Sequence, residues 1–199
     1  MDNYARIVQD NLNTLYKNLP EDLAENLPGE KEGRQLIFTA FGEKCVIEPD
    51  KIILGDEENS SVLGILISLY ALNANPGACI PLPFKAFKQF PDSTPYTGAF
   101  KTHTEQVLVP HVDKIKESAQ VITEKLNGEQ YPPGAGGDFS FVVYPLPKIA
   151  LCYIFYDSDD DFPPSVTCLF SNNANEFMPV DGLADVGEYT SRIITELIR

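Results

Sequence analysis

Apolar residues at Tyr4, Ile7, Val8, Leu12, Leu15 and Tyr16 recur at the helical period and predict an amphipathic helix over residues 3–17, stopped by Pro20. The same spacing at Val112, Ile115, Ala119, Ile122 and Leu126 predicts a second long helix over 112–126, with Asn127-Gly128 as its C-terminal stop. A closing helix over 182–198 shows its apolar face at Val186, Tyr189, Ile193, Ile194 and Leu197, and Asp181 stands where a cap is needed. Residues 61–73 are strongly apolar, the pattern of a buried helix, with Asn59 or Ser60 as its cap. Phe84, Phe87 and Phe90 recur at threes, which suits one or two helical turns packed on the core.

Elsewhere the pattern is that of strands. Residues 35–41 and 44–47 predict a β-hairpin around Gly42-Glu43, and 51–54 a short third strand. After Gly134-Ala135-Gly136-Gly137 come three β-rich runs, at 138–144, 149–156 and 165–170. Pro145-Leu146-Pro147 separates the first two, and the acidic segment 157–164 separates the last two. Helices that precede and follow grouped strands predict an α+β fold in a single domain. Its sheet is expected to be largely antiparallel, with a β meander in the C-terminal half, packed by helices.

Composition narrows the partners. With 199 residues, 43% of them hydrophobic, the chain suffices for one domain with its own core. Its 29 acidic residues against 15 basic ones give a net charge of -14, which disfavours nucleic acid and anionic membrane surfaces. The longest apolar run, 62–71, is interrupted by Gly64 and Ser68 and is too short to span a bilayer. The start, Met1-Asp2-Asn3-Tyr4-Ala5-Arg6, lacks the basic-then-apolar order of a secretory signal. Cys45, Cys79, Cys152 and Cys168 are scattered among apolar neighbours without a Cys-x-x-Cys pair. That pattern argues for buried thiols in a reducing cytoplasm and against a zinc ribbon or iron–sulfur cluster.

Two regions carry candidate chemistry. If 138–144 pairs antiparallel with 149–156, Asp138 falls beside Tyr156 and Asp157, and Asp159, Asp160 and Asp161 hang from the same end. Crowded carboxylates recruit a hard divalent cation or raise one another's pKa; the alternative is an acidic turn that keeps a hydrophobic hairpin soluble. An EF-hand is excluded, because Phe162 stands where the loop needs Gly and Cys168 where it needs a bidentate Glu. The second region holds Phe84, Lys85, Phe87, Lys88, Tyr96 and Phe100, the one locally basic part of an acidic chain. Aromatics among lysines bind planar or anionic small molecules, or else serve as core with solvated lysines between them. The glycines at 134–137 lack the strand-before, helix-after context of a dinucleotide fingerprint and read as a turn. His103 and His111 have no local catalytic partner.

The order of signals resembles a known family. An apolar helix with Leu69-Tyr70-Ala71-Leu72 leads to Pro76-Gly77 and Phe84-Lys85-Ala86-Phe87. Then come Gly137-Asp138, Tyr144-Pro145-Leu146-Pro147, Asp160-Asp161-Phe162-Pro163, Leu169-Phe170 and Met178-Pro179. This series is similar to the domain of unknown function 3786 family of anaerobic bacteria and archaea. The resemblance runs over nearly the whole chain and implies no established activity. Some relatives join the domain to a cysteine-rich, iron–sulfur-type segment, which this chain lacks, so no cluster is expected on it. Family patterns often place an aspartate after the Leu-Phe pair, where this chain has Ser171. The first expectation is therefore a binding or accessory module of anaerobic metabolism, holding an unknown small molecule or a protein partner in the aromatic–basic region. The alternatives are a cation-dependent enzyme built on the five aspartates, or a structural protein whose acidic rim faces a basic partner.

Overall fold

The computed structural model describes residues 2–199. It contains two antiparallel five-stranded sheets where the sequence pattern suggests one. The first is a meander of β1 (Glu30–Glu32), β2 (Gln35–Ala40), β3 (Glu43–Ile47), β4 (Ile52–Leu54) and β5 (Glu57–Glu58). The second has the order β6-β10-β9-β8-β7, from β6 (Lys85–Ala86), β7 (Glu129–Gln130), β8 (Phe139–Leu146), β9 (Ile149–Tyr156) and β10 (Ser165–Phe170). The expected meander is its centre.

The hairpin between β2 and β3 turns at Phe41-Gly42, one residue earlier than the pattern suggests. Both residues have positive φ, 50° and 76°, as a type I′ turn requires. Phe41 tolerates this conformation because its ring is buried and its N–H donates to the Pro145 carbonyl at 2.6 Å, tying the first sheet to the second.

Helix α1 (Asn3–Lys17) buries Val8, Leu12 and Leu15 and joins α3 (Val62–Leu72) through an Asn11 Nδ2 to Ser68 Oγ bond of 2.9 Å. A short α2 (Leu23–Asn26) lies between α1 and β1. The cap of α3 is Ser61, whose hydroxyl accepts the Leu63 N–H, while Asn59 Oδ1 accepts that of Gly64; Ser60 takes no such part. The 84–90 segment forms β6 and a 3-10 turn over Phe87–Gln89, so the expected helical stretch is one 3-10 turn preceded by sheet edge. A short α4 (Thr97–Phe100) runs into a π-helical turn at Lys101–Gln106.

The helix expected over 112–126 is two pieces, α5 (Val112–Glu117) and α6 (Ala119–Lys125), broken at Ser118. Its apolar face continues across the break, so periodicity does not register it. The last helix, α7 (Val180–Leu197), starts earlier than expected. Pro179, with φ -56°, holds the cap position and Asp181 lies inside the first turn, where its charge complements the helix dipole.

Strand register sorts the side chains of the second sheet. Phe139, Phe141 and Val143 of β8, Leu151, Tyr153 and Phe155 of β9, and Cys168 and Phe170 of β10 point into the main core beneath the helices. Val142, Ala150, Cys152 and Ile154 point the other way and form a second, smaller apolar cluster. A sheet buried on both faces accounts for the near-continuous apolar runs of β8 and β9. Something must cover the outer face, and among the described residues none of the side chains packed on that cluster belongs to a helix. Two irregular segments, 78–84 and 131–137, lie there instead.

Candidate functional site

The first covering segment is Ala78-Cys79-Ile80-Pro81-Leu82-Pro83-Phe84. Proline cannot complete a ladder, so this strap does not extend the sheet. It is held by two asparagines that follow β10. Asn173 Oδ1 accepts the Ile80 N–H at 2.9 Å, and Asn173 Nδ2 donates to the Ala78 carbonyl at 2.9 Å. The Asn172 N–H donates to the Ile80 carbonyl at 2.7 Å, and its side chain donates to that of Pro83 at 2.9 Å. Phe84 and Cys79 then pack on the outer apolar cluster.

The second segment follows β7. Tyr131 pairs its N–H with the Ser140 carbonyl, and Pro132-Pro133-Gly134 turns the chain over the sheet. Gly134 and Gly137 adopt φ of 81° and 82°, which side chains rarely adopt. At Gly137 a Cβ would also stand 2.6 Å from the Phe155 carbonyl oxygen and 2.7 Å from the Ile154 side chain. The two segments approach at Gly134, where a Cβ would lie 3.2 Å from Leu82.

Between them remains an apolar groove of about 390 Å³. Val142 and Tyr144 belong to the underlying sheet; Ile80, Leu82 and Phe84 come from one covering segment, Pro132 and Pro133 from the other. Glu129 of β7 is its one charged lining residue. Ile80 and Leu82 are 51% and 44% exposed, a high fraction for large aliphatics that stand over an apolar sheet face. Burial, then the neighbouring Cys79 and Glu129, raise the pKa of Tyr144, so its hydroxyl stays neutral at physiological pH. A second hollow of about 460 Å³ shares Leu82 and Phe84 and adds Pro83, Gly134 and Leu169.

The structure divides the expected aromatic–basic set. Phe84 lines the apolar groove. Phe87 and Phe100 are buried and stacked on each other at 4.5 Å, and both touch Phe170, so their faces are taken by core partners. With Lys88, their edges border a separate cleft of about 360 Å³ that also holds Lys101, Glu105 and Cys168. Lys85 lies over the ring of Phe90 at 5.8 Å, and Tyr96 is exposed; neither borders these cavities.

Glu105, in the π-helical turn, accepts the Cys168 N–H at 2.9 Å. Burial raises its pKa above the ordinary carboxylate value, opposed by that hydrogen bond and by Lys101. The fold therefore keeps this proton to higher pH than the unfolded chain does. Its contribution to stability grows as pH falls through the raised pKa toward the ordinary one. Glu105→Gln does not titrate, so its stability relative to the native protein is expected to be best near neutrality and to decline as pH drops toward 4.5; urea melts across that interval check the sign.

At the opposite end of β8 and β9 the structure brings two of the five aspartates together. Asp138 Oδ2 accepts the Asp157 N–H at 2.8 Å. Asp157 Oδ2 is paired with Lys116 at 2.6 Å, and that lysine also lies over the Phe139 ring at 5.5 Å. Asp159 Oδ1 turns inward to accept the N–H groups of Asp161 and Phe162, and Asp160 and Asp161 are exposed. A hollow of about 580 Å³ is bordered by Asp138, Asp157 and Asp159. Among the described residues, no three His, Cys, Asp or Glu side chains are grouped to hold a metal ion. The nearest cation is the protein's own.

Pattern reading missed several residues. Lys148, in the β8–β9 turn, is 6% exposed. Its Nζ donates to the Asn75 carbonyl at 2.6 Å and sits 5.3 Å over the Phe177 ring, and burial lowers its pKa. Ile80, Leu82, Glu129, Tyr144 and the paired Asn172 and Asn173 were equally silent. The available signal was that two proline-rich apolar segments accompany strands apolar on both faces.

Comparison with known proteins adds one result. No curated protein and no solved structure matches the chain. A family model described as a domain of unknown function (DUF3786) matches residues 20–193, most of the sequence. The chain belongs to the DUF3786 family.

Proposed function

We propose that this protein is a small-molecule-binding module whose site is the groove on the outer face of the second sheet. The observation that carries the reading is the incomplete cover of that face: Ile80, Leu82 and Phe84 stand over Val142 and Tyr144 and leave about 390 Å³ open between them. Ligand pockets span ~300–1,000 Å³ and are mostly apolar with a few placed polar groups, which describes this one. Asparagine bonds to the first covering segment, and the Tyr131 N–H to Ser140 bond that anchors the second, make it largely pre-formed. Four free cysteines support a reducing, cytoplasmic setting. Among the described residues, no helix is long and apolar enough to cross a membrane. The acidic end is a weaker candidate, because Lys116 already neutralises Asp157.

Titration with Nile red, a neutral dye that brightens in apolar sites, tests the reading. The native protein is expected to bind it saturably. Ile80→Asp combined with Leu82→Asp is expected to weaken binding about tenfold with modest loss of stability, since both residues are already about half exposed. Lys88→Ala with Lys101→Ala is expected to leave it unchanged. No saturable binding, or equal binding by the aspartate variant, would reject the site.

A further inference from the structure

We infer that this groove selects organic cations with an apolar body, small alkyl- or arylammonium compounds, and that Glu129 is the residue that reads their charge. The inference rests on the binding reading above and adds the ligand's chemistry.

Among the described residues that line the groove Glu129 alone is charged; the others offer aliphatic carbon or an aromatic ring. Among the described residues it forms no ion pair, whereas Glu43, Glu48, Asp157 and Glu188 each have a lysine or arginine. An unpaired carboxylate at the lip of an apolar cavity favours a ligand with a cationic end and repels one with an anionic end. Phe84 and Tyr144 add aromatic rings to the lining, and a cation over a ring face is attracted by the ring quadrupole. The Tyr144 hydroxyl is a neutral hydrogen-bonding group and brings no competing charge. The net charge of -14 raises the local concentration of cations around the whole molecule.

Size and backbone chemistry favour a small molecule over a peptide. The volume lies near the lower end of the range for ligand pockets, enough for an aryl ring with a short chain. Three of the lining residues are prolines, which have no N–H to pair with a peptide's main chain.

The test compares three compounds with one body and different ends: 4-phenylbutylamine, 4-phenylbutanol and 4-phenylbutyrate, titrated calorimetrically at low and high salt. The amine is expected to bind about fivefold more tightly than the alcohol at low salt, as an exposed ion pair allows. That advantage should shrink in high salt, and the butyrate should bind weakest. Glu129→Gln should make amine and alcohol equivalent. Glu129 is exposed and its backbone makes the strand contacts, so the variant retains the fold. Equal affinities in the native protein, or an amine advantage that survives Glu129→Gln, would overturn the charge assignment while leaving the groove as a binding site. Failure of all three compounds to bind would overturn both. A proline-rich peptide carrying arginines that binds more tightly than the amine would assign the groove to a protein partner instead. So would a dimer dispersed by the amine, with a second copy of this chain as the occupant.

Discussion

Phe170→Ala is expected to destabilise the protein by about 4 kcal/mol, in the range for removing a fully buried ring. The ring has no exposed surface and lies 5.9 Å from that of Phe87, 5.7 Å from Phe90 and 5.6 Å from Phe100. These three come from the 3-10 turn after β6, from its end at Phe90 and from the short α4, segments with little regular structure of their own. Their order depends on what they pack against, so the cavity left by the substitution cannot be filled by one neighbour alone. For a chain of this size such a loss lowers the midpoint of thermal unfolding by about 10 °C. Tyr96→Ala, in the same region but exposed, is expected to change stability by less than about 0.5 kcal/mol. Equal effects would mean that the aromatic set is not core. Urea and thermal melts of the two variants settle which description holds.

Gly128→Ala should cost about 3 kcal/mol, the upper part of the overpacking range. Gly128 links the end of α6 to β7, and its N–H bonds the Thr123 carbonyl at 2.7 Å. A Cβ there would overlap the Val142 carbonyl oxygen and stand 3.0 Å from both the Val142 carbonyl carbon and the Val143 Cα. All three are backbone atoms of β8, so no rotamer change relieves the clash; α6 or β7 must move. Because Glu129 is the next residue, movement at Gly128 also displaces the groove's charged lip, and ligand affinity should fall with stability. Gly98→Ala is the control. A Cβ at Gly98 meets nothing within 4 Å, and in a helix the change is neutral or stabilising by up to about 1 kcal/mol. Equal behaviour of the two alanine variants in urea titrations would contradict the described packing of α6 on β8.

The helices α1 and α7 and the strand β10 were legible in sequence because burial of one face imposes a period, and α3, β8 and β9 because burial on all sides leaves continuous apolar runs. Their ends were less so: the start of α7 is fixed by Pro179, and the β2–β3 turn by the burial of Phe41, a tertiary effect. The break at Ser118 leaves the hydrophobic face intact and so leaves no periodic trace. Two sheets in place of one were hidden because strand pattern fixes faces, not partners.

The site was less legible than the fold. Phe84 was singled out for its place among lysines, yet what gives it a role is the apolar outer face beneath it. Phe87 and Phe100 stand close to it in sequence but point into the other layer, and spacing alone does not reveal the layer. Asp138 and Asp157 were expected side by side from antiparallel pairing, and they are. The pairing of Asp157 with Lys116 was not legible, because it joins residues 41 positions apart on different elements. Glu129 belongs to no motif, and Tyr144 enters the sequence reading only as the first residue of Tyr144-Pro145-Leu146-Pro147. They acquire meaning from the register of β7 on β8, in which Glu129 lies opposite Val142.

On the proposed function, ligands enter between the two covering segments of the second sheet. Amide chemical-shift mapping with 4-phenylbutanol tests it most directly, since a neutral compound probes the groove without its charge preference. The largest shifts are predicted at Ile80, Leu82, Phe84, Glu129, Gly134 and Tyr144. Shifts centred on Lys88, Lys101 and Glu105, or on Asp138, Asp157 and Asp159, would place binding elsewhere and rule out the groove.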